Sequence, residues 1–333
     1  MNNNKIYVIA EMACSHDGSL ELARKIIDGA GEAGANAIQL QIWSLENVLA
    51  PSHHVYEIAK KIQLTQAQWK DMVDYTRKKY STMDIIVCVY EHQSINFIES
   101  LGVDGYKLNS SDLSNPYVLD RVAATGKKIN LSIGASTLEE IQNAVQRLKK
   151  QTKGQITLMY GYQNFPTTIA DIHLNRMIEI GKLLNLPVGY QDHCDAQTRS
   201  AFWIPALASG MGASILEKHI THDRSLKGVD HESALNPDEF KVFVDMVREL
   251  EAAKGIAEAK PFSDDELKYR KFQKKSIVAA RPMKAGEQLR EADINFLRAD
   301  KLGIAPDKVD KILNKKIKHD ISMYQIIFEE DVS

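Results

Sequence analysis

His193 and His219 are the residues from which a chemistry can first be read. Each closes a short apolar run, 188–193 and 216–219, where a strand would finish. Between them, 202–208 reads as a helix and Ser209-Gly210-Met211-Gly212 as the turn back to a new strand over 213–216. This is one β-α-β unit with a histidine at the carboxyl end of both strands, the end that faces the active site in a parallel α/β barrel. A histidine alone is more often a hydrogen-bonded or surface group. Two at successive strand ends, with Asp192 and Glu217 beside them as supporting groups, could share one divalent metal ion and leave positions open for substrate.

The elements needed to position such a pair recur along the chain. A β-prone run over 6–10 ends at Glu11, and a polar loop over 14–19 leads into a helix over 20–33 with Gly34 as its C-cap. The strand over 37–42 alternates so that Gln39 and Gln41 share one face. The stretch 43–55 reads as a long active-site loop, 65–80 as a helix, 84–90 as a strand and 93–101 as a helix. A strand over 105–108 runs into Asn109 to Asp112, and a helix follows Pro116, which suits a first helical turn. Further strands are expected at 128–132, 155–160, 186–190 and 213–216. Eight strands alternating with helices in about 250 residues predict a (β/α)8 TIM barrel, with its domain at 1–260. A helix over 240–254, capped by Gly255, closes it. The charged stretch 261–275 reads as a linker. Residues 276–333, with short extended segments at 276–280 and 293–298, read as a small separate module.

Composition narrows the classes. The chain has 333 residues, 44% apolar and 26% charged, enough for a sizeable core. A formal net charge of -2 offers no footprint for nucleic acid or an anionic membrane. Residues 1–5 lack the apolar region of a signal peptide, and no apolar run approaches the ~20 residues that span a bilayer. Cys14, Cys88 and Cys194 have no metal-type spacing, so the expected setting is reducing and cytoplasmic.

The strand ends and the loops after them offer Glu11, Gln41, Lys107, Ser110, Asp112, Ser132, His193, His219 and Asp230. This mixture suits an anionic substrate held near a metal that polarises a carbonyl. No Gly-x-Gly-x-x-Gly follows a strand and no Walker A sequence occurs, so nucleotide-cofactor chemistry has no support.

At this point the motifs resemble those of the sialic acid synthases: the N-acetylneuraminate, legionaminate and pseudaminate synthases. Ile9-Ala10-Glu11-Met12 with the Ser15-His16-Asp17-Gly18 loop is similar to their opening. Leu131 to Ile141, Asp192-His193, Glu217-Lys218-His219 and Asp223 to His231 are similar to four further motifs in the same order. Ser276 to Gly286 resembles the start of their carboxyl-terminal antifreeze-like (SAF) domain. The likeness runs from about residue 5 to about residue 325. It implies condensation of phosphoenolpyruvate with an N-acetylhexosamine-type aldehyde to a nonulosonic acid and phosphate. It implies Mn2+, or Mg2+ or Co2+, on His193 and His219. Glu11, Gln41, Asp112 and Asp230 would contact the sugar or move protons, and Lys107, Ser110 and Ser132 would hold phosphoenolpyruvate. Arg298 would reach over the active site of a second subunit, which implies a domain-swapped homodimer.

Four positions depart from the family pattern. Gln39 stands for a lysine, and Val87-Cys88-Val89-Tyr90 for Ser-Thr-Pro-Phe. Gln191 stands for a serine, and Gln163-Asn164-Phe165-Pro166 for Asn-x-Tyr-Pro. Gln163, Phe165 and Gln191 thereby join the expected substrate-contacting residues, and phosphoenolpyruvate is expected to bind more weakly than in a typical member. Two other readings keep the barrel: a lyase or synthase with another donor or sugar, and a non-catalytic sugar-acid-binding homologue.

Overall fold

In the computed structural model the described residues are 5–164, 166–255 and 258–333. Eight parallel strands close a barrel in chain order: β1 (Tyr7–Glu11), β2 (Ala37–Ile42), β3 (Asp84–Val89), β4 (Gly105–Leu108), β5 (Lys128–Ser132), β6 (Ile156–Tyr160), β7 (Val188–Asp192) and β8 (Ile215–His219). This is the expected (β/α)8 architecture. Its strands are buried on both faces, so outward apolar residues meet the helices while inward ones fill the lumen.

The helices that cover it start and stop where the sequence supplies caps. Helix α1 (Leu20–Ala33) begins on the Ser19 side chain and ends at Gly34, whose φ of 81° is the left-handed cap that glycine adopts without strain. It buries Ala23, Ile26, Ile27, Ala30 and Ala33, one stripe at helical spacing. Between β2 and β3 the chain forms α2 (Leu45–Val48), α3 (Tyr56–Ile62) and α4 (Gln66–Lys79). The stretch read as a loop over 43–55 thus contains a short helix and leads into a second one. Helix α4 opens with a reciprocal Thr65–Gln68 capping box. Helices α5 (Ile95–Ser100), α6 (Pro116–Ala124), α7 (Leu138–Gln151), α8 (Leu174–Leu184), α9 (Ser200–Gly210) and α10 (Pro237–Lys254) complete the barrel.

The chain divides into two compact units, Met1–Ile256 and Ala257–Ser333. The second contains α11 (Asp264–Gln273), so the segment read as a linker carries a helix, held at its start by a Ser263–Glu266 capping box. Strands β9 (Lys275–Ala279) and β10 (Ile294–Arg298) pair antiparallel, with Arg298 opposite Lys275. This unit has its own core, including Ile277, Leu289, Ile304, Ile317 and Ile327. Among the described residues no helix is long and apolar enough to cross a membrane.

Candidate active site

The carboxyl ends of the barrel strands surround a cavity of about 240 Å3. Alternation along each strand decides what enters it. Glu11 comes from β1, Gln39 and Gln41 from β2, Cys88 from β3 and Lys107 from β4. Ser132 comes from β5, Gln191 from β7, and Glu217 and His219 from β8. His193, one residue beyond β7, Asn109, one residue beyond β4, and Tyr90, Gln163 and Asp230 complete the rim. Beneath this polar layer Ile9, Ala37 and Ile86 pack with Tyr7 and Ile215, so the lumen is closed by hydrocarbon below. The register sets neighbours: Glu11 lies beside both Gln39 and His219, Cys88 beside Lys107, and Gln191 beside Glu217.

Glu11 is 1% exposed. Its Oε1 accepts from the Ala13 amide at 2.6 Å and from Gln41 Nε2 at 3.1 Å. The tight turn that delivers the Ala13 N–H puts that residue at φ 48°, a left-handed conformation uncommon for alanine. Its Oε2 has no hydrogen-bond partner among the described residues. Burial, reinforced by the nearby Glu217 carboxylate, pushes the Glu11 carboxyl up to about 8, so it is mostly protonated at neutral pH. Lys107 pairs with Glu217, both buried. Burial alone would lower the ammonium's pKa, but the Glu217 carboxylate, joined by Glu11 once that group ionises, outweighs it and keeps Lys107 charged.

The two histidine rings lie side by side, 5.3 Å between centroids. His193 Nδ1 is 2.9 Å from the Tyr162 carbonyl, which can only accept, so Nδ1 carries the hydrogen and Nε2 the lone pair. Burial lowers the pKa of both imidazoles, His219 the more, and neutral rings are what a metal requires. No group of three or more His, Cys, Asp or Glu side chains suited to a metal occurs among the described residues. Behind the pair, Lys218 and Asp192 form a fully buried ion pair at 2.5 Å, and Tyr190 donates to Asp192 at 3.1 Å. Asp192 therefore braces β7 against β8 rather than contacting a histidine ring.

The structure gathers Glu11, Gln41, Lys107, Ser132, Gln163, Gln191, His193, His219 and Asp230 around one cavity. Ser110 and Asp112 are not among its lining residues. Both sit in the turn after β4, where Asp112 accepts from Asn115 at 3.0 Å and from Ser111 at 2.9 Å. Asn109 lines the cavity instead, and sequence reasoning did not single it out. Its signal was parity, since it falls two residues after the inward Lys107. Arg298 is exposed at the end of β10, in the carboxyl-terminal unit. Phe165 lies outside the described residues.

The NeuB family matches residues 26–259, and the SAF domain matches 274–333. The N,N'-diacetyllegionaminic acid synthase of Legionella pneumophila is 30% identical over 95% of this chain and 91% of the relative. A pseudaminic acid synthase of Campylobacter jejuni is 27% identical over 99% of this chain and 97% of its own. The crystal structure of the N-acetylneuraminic acid synthetase of Leptospira borgpetersenii, in complex with citrate, superposes with a TM-score of 0.72. It is 27% identical and covers 81% of this chain and 95% of that one. The chain, similar along nearly its whole length to legionaminic and pseudaminic acid synthases, belongs to the NeuB family and carries a SAF domain after its barrel.

Proposed function

We infer that this protein condenses phosphoenolpyruvate with an N-acylated hexose in its open-chain aldehyde form, giving a nonulosonic 2-keto acid and inorganic phosphate. The observation that carries this reading is the charge arrangement in the cavity. It holds one ammonium, already paired with Glu217, two neutral imidazoles, a protonated Glu11 and the Asp230 carboxyl. Phosphoenolpyruvate brings a carboxylate and a phosphate, which Lys107 alone does not balance. The side chains fit a divalent cation that would make up the difference: His193 and His219 stand side by side, and Glu217 Oε2 is a buried acceptor without a hydrogen-bond partner among the described residues. Mn2+, or Mg2+ or Co2+, bound by the two histidines would supply Lewis acidity at the sugar's aldehyde oxygen.

The chain's own groups then have distinct tasks. Lys107, Ser132 and Gln191 hold the enolpyruvate's anionic groups, and Gln41 and Asp230 orient the sugar. The enol C3 bonds to the aldehyde carbon, and Glu11 gives its proton to the oxygen that becomes a hydroxyl. Water adds at C2, the bond from C2 to the phosphate oxygen breaks, and the ketone forms as phosphate leaves. One water proton restores Glu11 and the other departs with phosphate. Arg298, exposed on the SAF unit, would complete the sugar site of a second copy in a domain-swapped homodimer.

A phosphate-release screen with phosphoenolpyruvate, Mn2+ and a panel of N-acylated aldoses tests this reading. Release that requires both an aldose and the metal is expected. Phosphoenolpyruvate hydrolysis without an acceptor, or no release with any aldose, would overturn it.

A further inference from the structure

A second cavity, of about 300 Å3, opens beside the polar one and shares Gln41, Tyr90 and Asp230 with it. Its far wall is hydrocarbon. Val48 and Leu49 come from the end of α2, Val55 from the turn before α3, and Ile58, Ala59 and Ile62 from a single face of α3. The wall is braced from the β1 side. Gly18, at φ 79°, approaches the end of α3 so closely that a Cβ there would lie 2.9 Å from the Lys61 carbonyl oxygen. Apart from the shared Gln41 and Asp230, the residues of this chamber have no part in the condensation itself.

Its boundary is polar on one side only. Gln41 donates its amide hydrogen to Glu11, which turns its Oε1 toward Cys14, 3.9 Å away and itself lining the chamber. A ligand passing from the polar cavity into this one meets an acceptor suited to an amide N–H, then hydrocarbon. An acetyl group would place one methyl there. A methyl is about the size of a water molecule, at roughly 30 Å3, so most of the chamber would stay unfilled. We propose that the chamber selects an acceptor sugar whose amide carries an acyl chain longer than acetyl, seated against Val48, Val55, Ile58 and Ala59. This rests on the synthase reading for the sugar's placement, and it specifies the substrate that the site prefers.

The test is a homologous series of N-acetyl-, N-propanoyl- and N-butanoyl-D-mannosamine, followed by phosphate release and, independently, by calorimetric binding to the Mn2+-loaded protein. Each methylene seated in the chamber should lower KM and Kd about fourfold. Ile58→Asp, which sets a carboxylate on an exposed part of the wall, and Ala59→Phe, which fills the space, should each flatten the series. If no sugar supports phosphate release but binding still tightens with chain length and flattens in the variants, the synthase reading fails and the chamber stands. If phosphate is released but the series is flat, the synthase reading stands and the proposal falls. Absence of binding by any member, or steps that persist in both variants, also overturns it.

Discussion

Replacing Gln39 with lysine would put two parts of the account in opposition. Gln39 is buried, its Oε1 has no hydrogen-bond partner among the described residues, and it lies beside Glu11 in the β1–β2 register. Adjacent strands are ~4.8 Å apart, so the new ammonium would come within about 5 Å of the Glu11 carboxyl. At an effective dielectric constant near 20, unit charges at that distance interact by ~3 kcal/mol, or about two pH units. The Glu11 carboxyl, now held at about 8 by burial and then by Glu217, should fall toward about 6. A carboxyl with a raised pKa is protonated below it, so a Glu11 acting as proton donor gives an activity limb that declines above pH about 8. In Gln39→Lys that limb should move down by about two units. A new charge-assisted contact to phosphoenolpyruvate, worth roughly 1.5–3 kcal/mol, should tighten binding tenfold or more. The variant should therefore bind phosphoenolpyruvate more tightly and turn over more slowly at pH 7.5. Calorimetry with phosphoenolpyruvate and Mn2+, and the pH profile of kcat/KM by phosphate release, read the two effects separately. A limb that stays near pH 8, or unchanged phosphoenolpyruvate affinity, would refute the reasoning.

Other perturbations have equally definite outcomes. His193→Ala and His219→Ala should each lower activity by orders of magnitude while leaving the circular dichroism unchanged, and full activity in the double variant would remove the metal from the account. Lys218→Met strands Asp192 in a fully buried place and should cost about 3–5 kcal/mol in denaturant unfolding, with Asp192→Asn in the same chain recovering most of it. An inactive Arg298→Ala chain mixed with an inactive His193→Ala chain should regain roughly a quarter of wild-type activity after subunit exchange, because one barrel of each mixed dimer meets an intact arginine. No recovery on mixing would argue that each site is built from a single chain.

The barrel was legible because its elements carry local signals that agree. Ser19 and Gly34 bracket α1, Pro116 opens α6, and the apolar runs between them are short enough to be strands. Helices α3 and α11 were missed for a shared reason. Helix α3 buries only Ala59 and Ile62, and α11 buries nothing, so neither shows an apolar stripe. The capping box at Ser263 and Glu266 was the available clue to α11. In the site, strand-end position alone was a coarse guide. Ser110 and Asp112 follow β4 but lie in a 3-10 turn where strand alternation has ended, whereas Asn109, directly after the strand, keeps the inward parity of Lys107. Asp192 beside His193 looked like a supporting group for the metal, but it points to the opposite face and pairs with Lys218. The raised Glu11 carboxyl had no sequence signal, because it depends first on burial in the closed barrel and then on Glu217, which closure brings beside it from β8. The Tyr162 carbonyl that fixes the His193 tautomer is backbone and leaves no mark in residue types.

The most direct test of the central claim uses phosphoenolpyruvate labelled with 18O in the oxygen bridging C2 and phosphorus, incubated with the protein, Mn2+ and an N-acylated hexose. If water adds at C2 and the bond from C2 to that oxygen breaks, the released phosphate carries the label, and none is released when sugar or metal is omitted. Unlabelled phosphate would mean attack at phosphorus, and labelled phosphate without a sugar would mean simple hydrolysis; either result contradicts a carbon–carbon bond-forming synthase at this site.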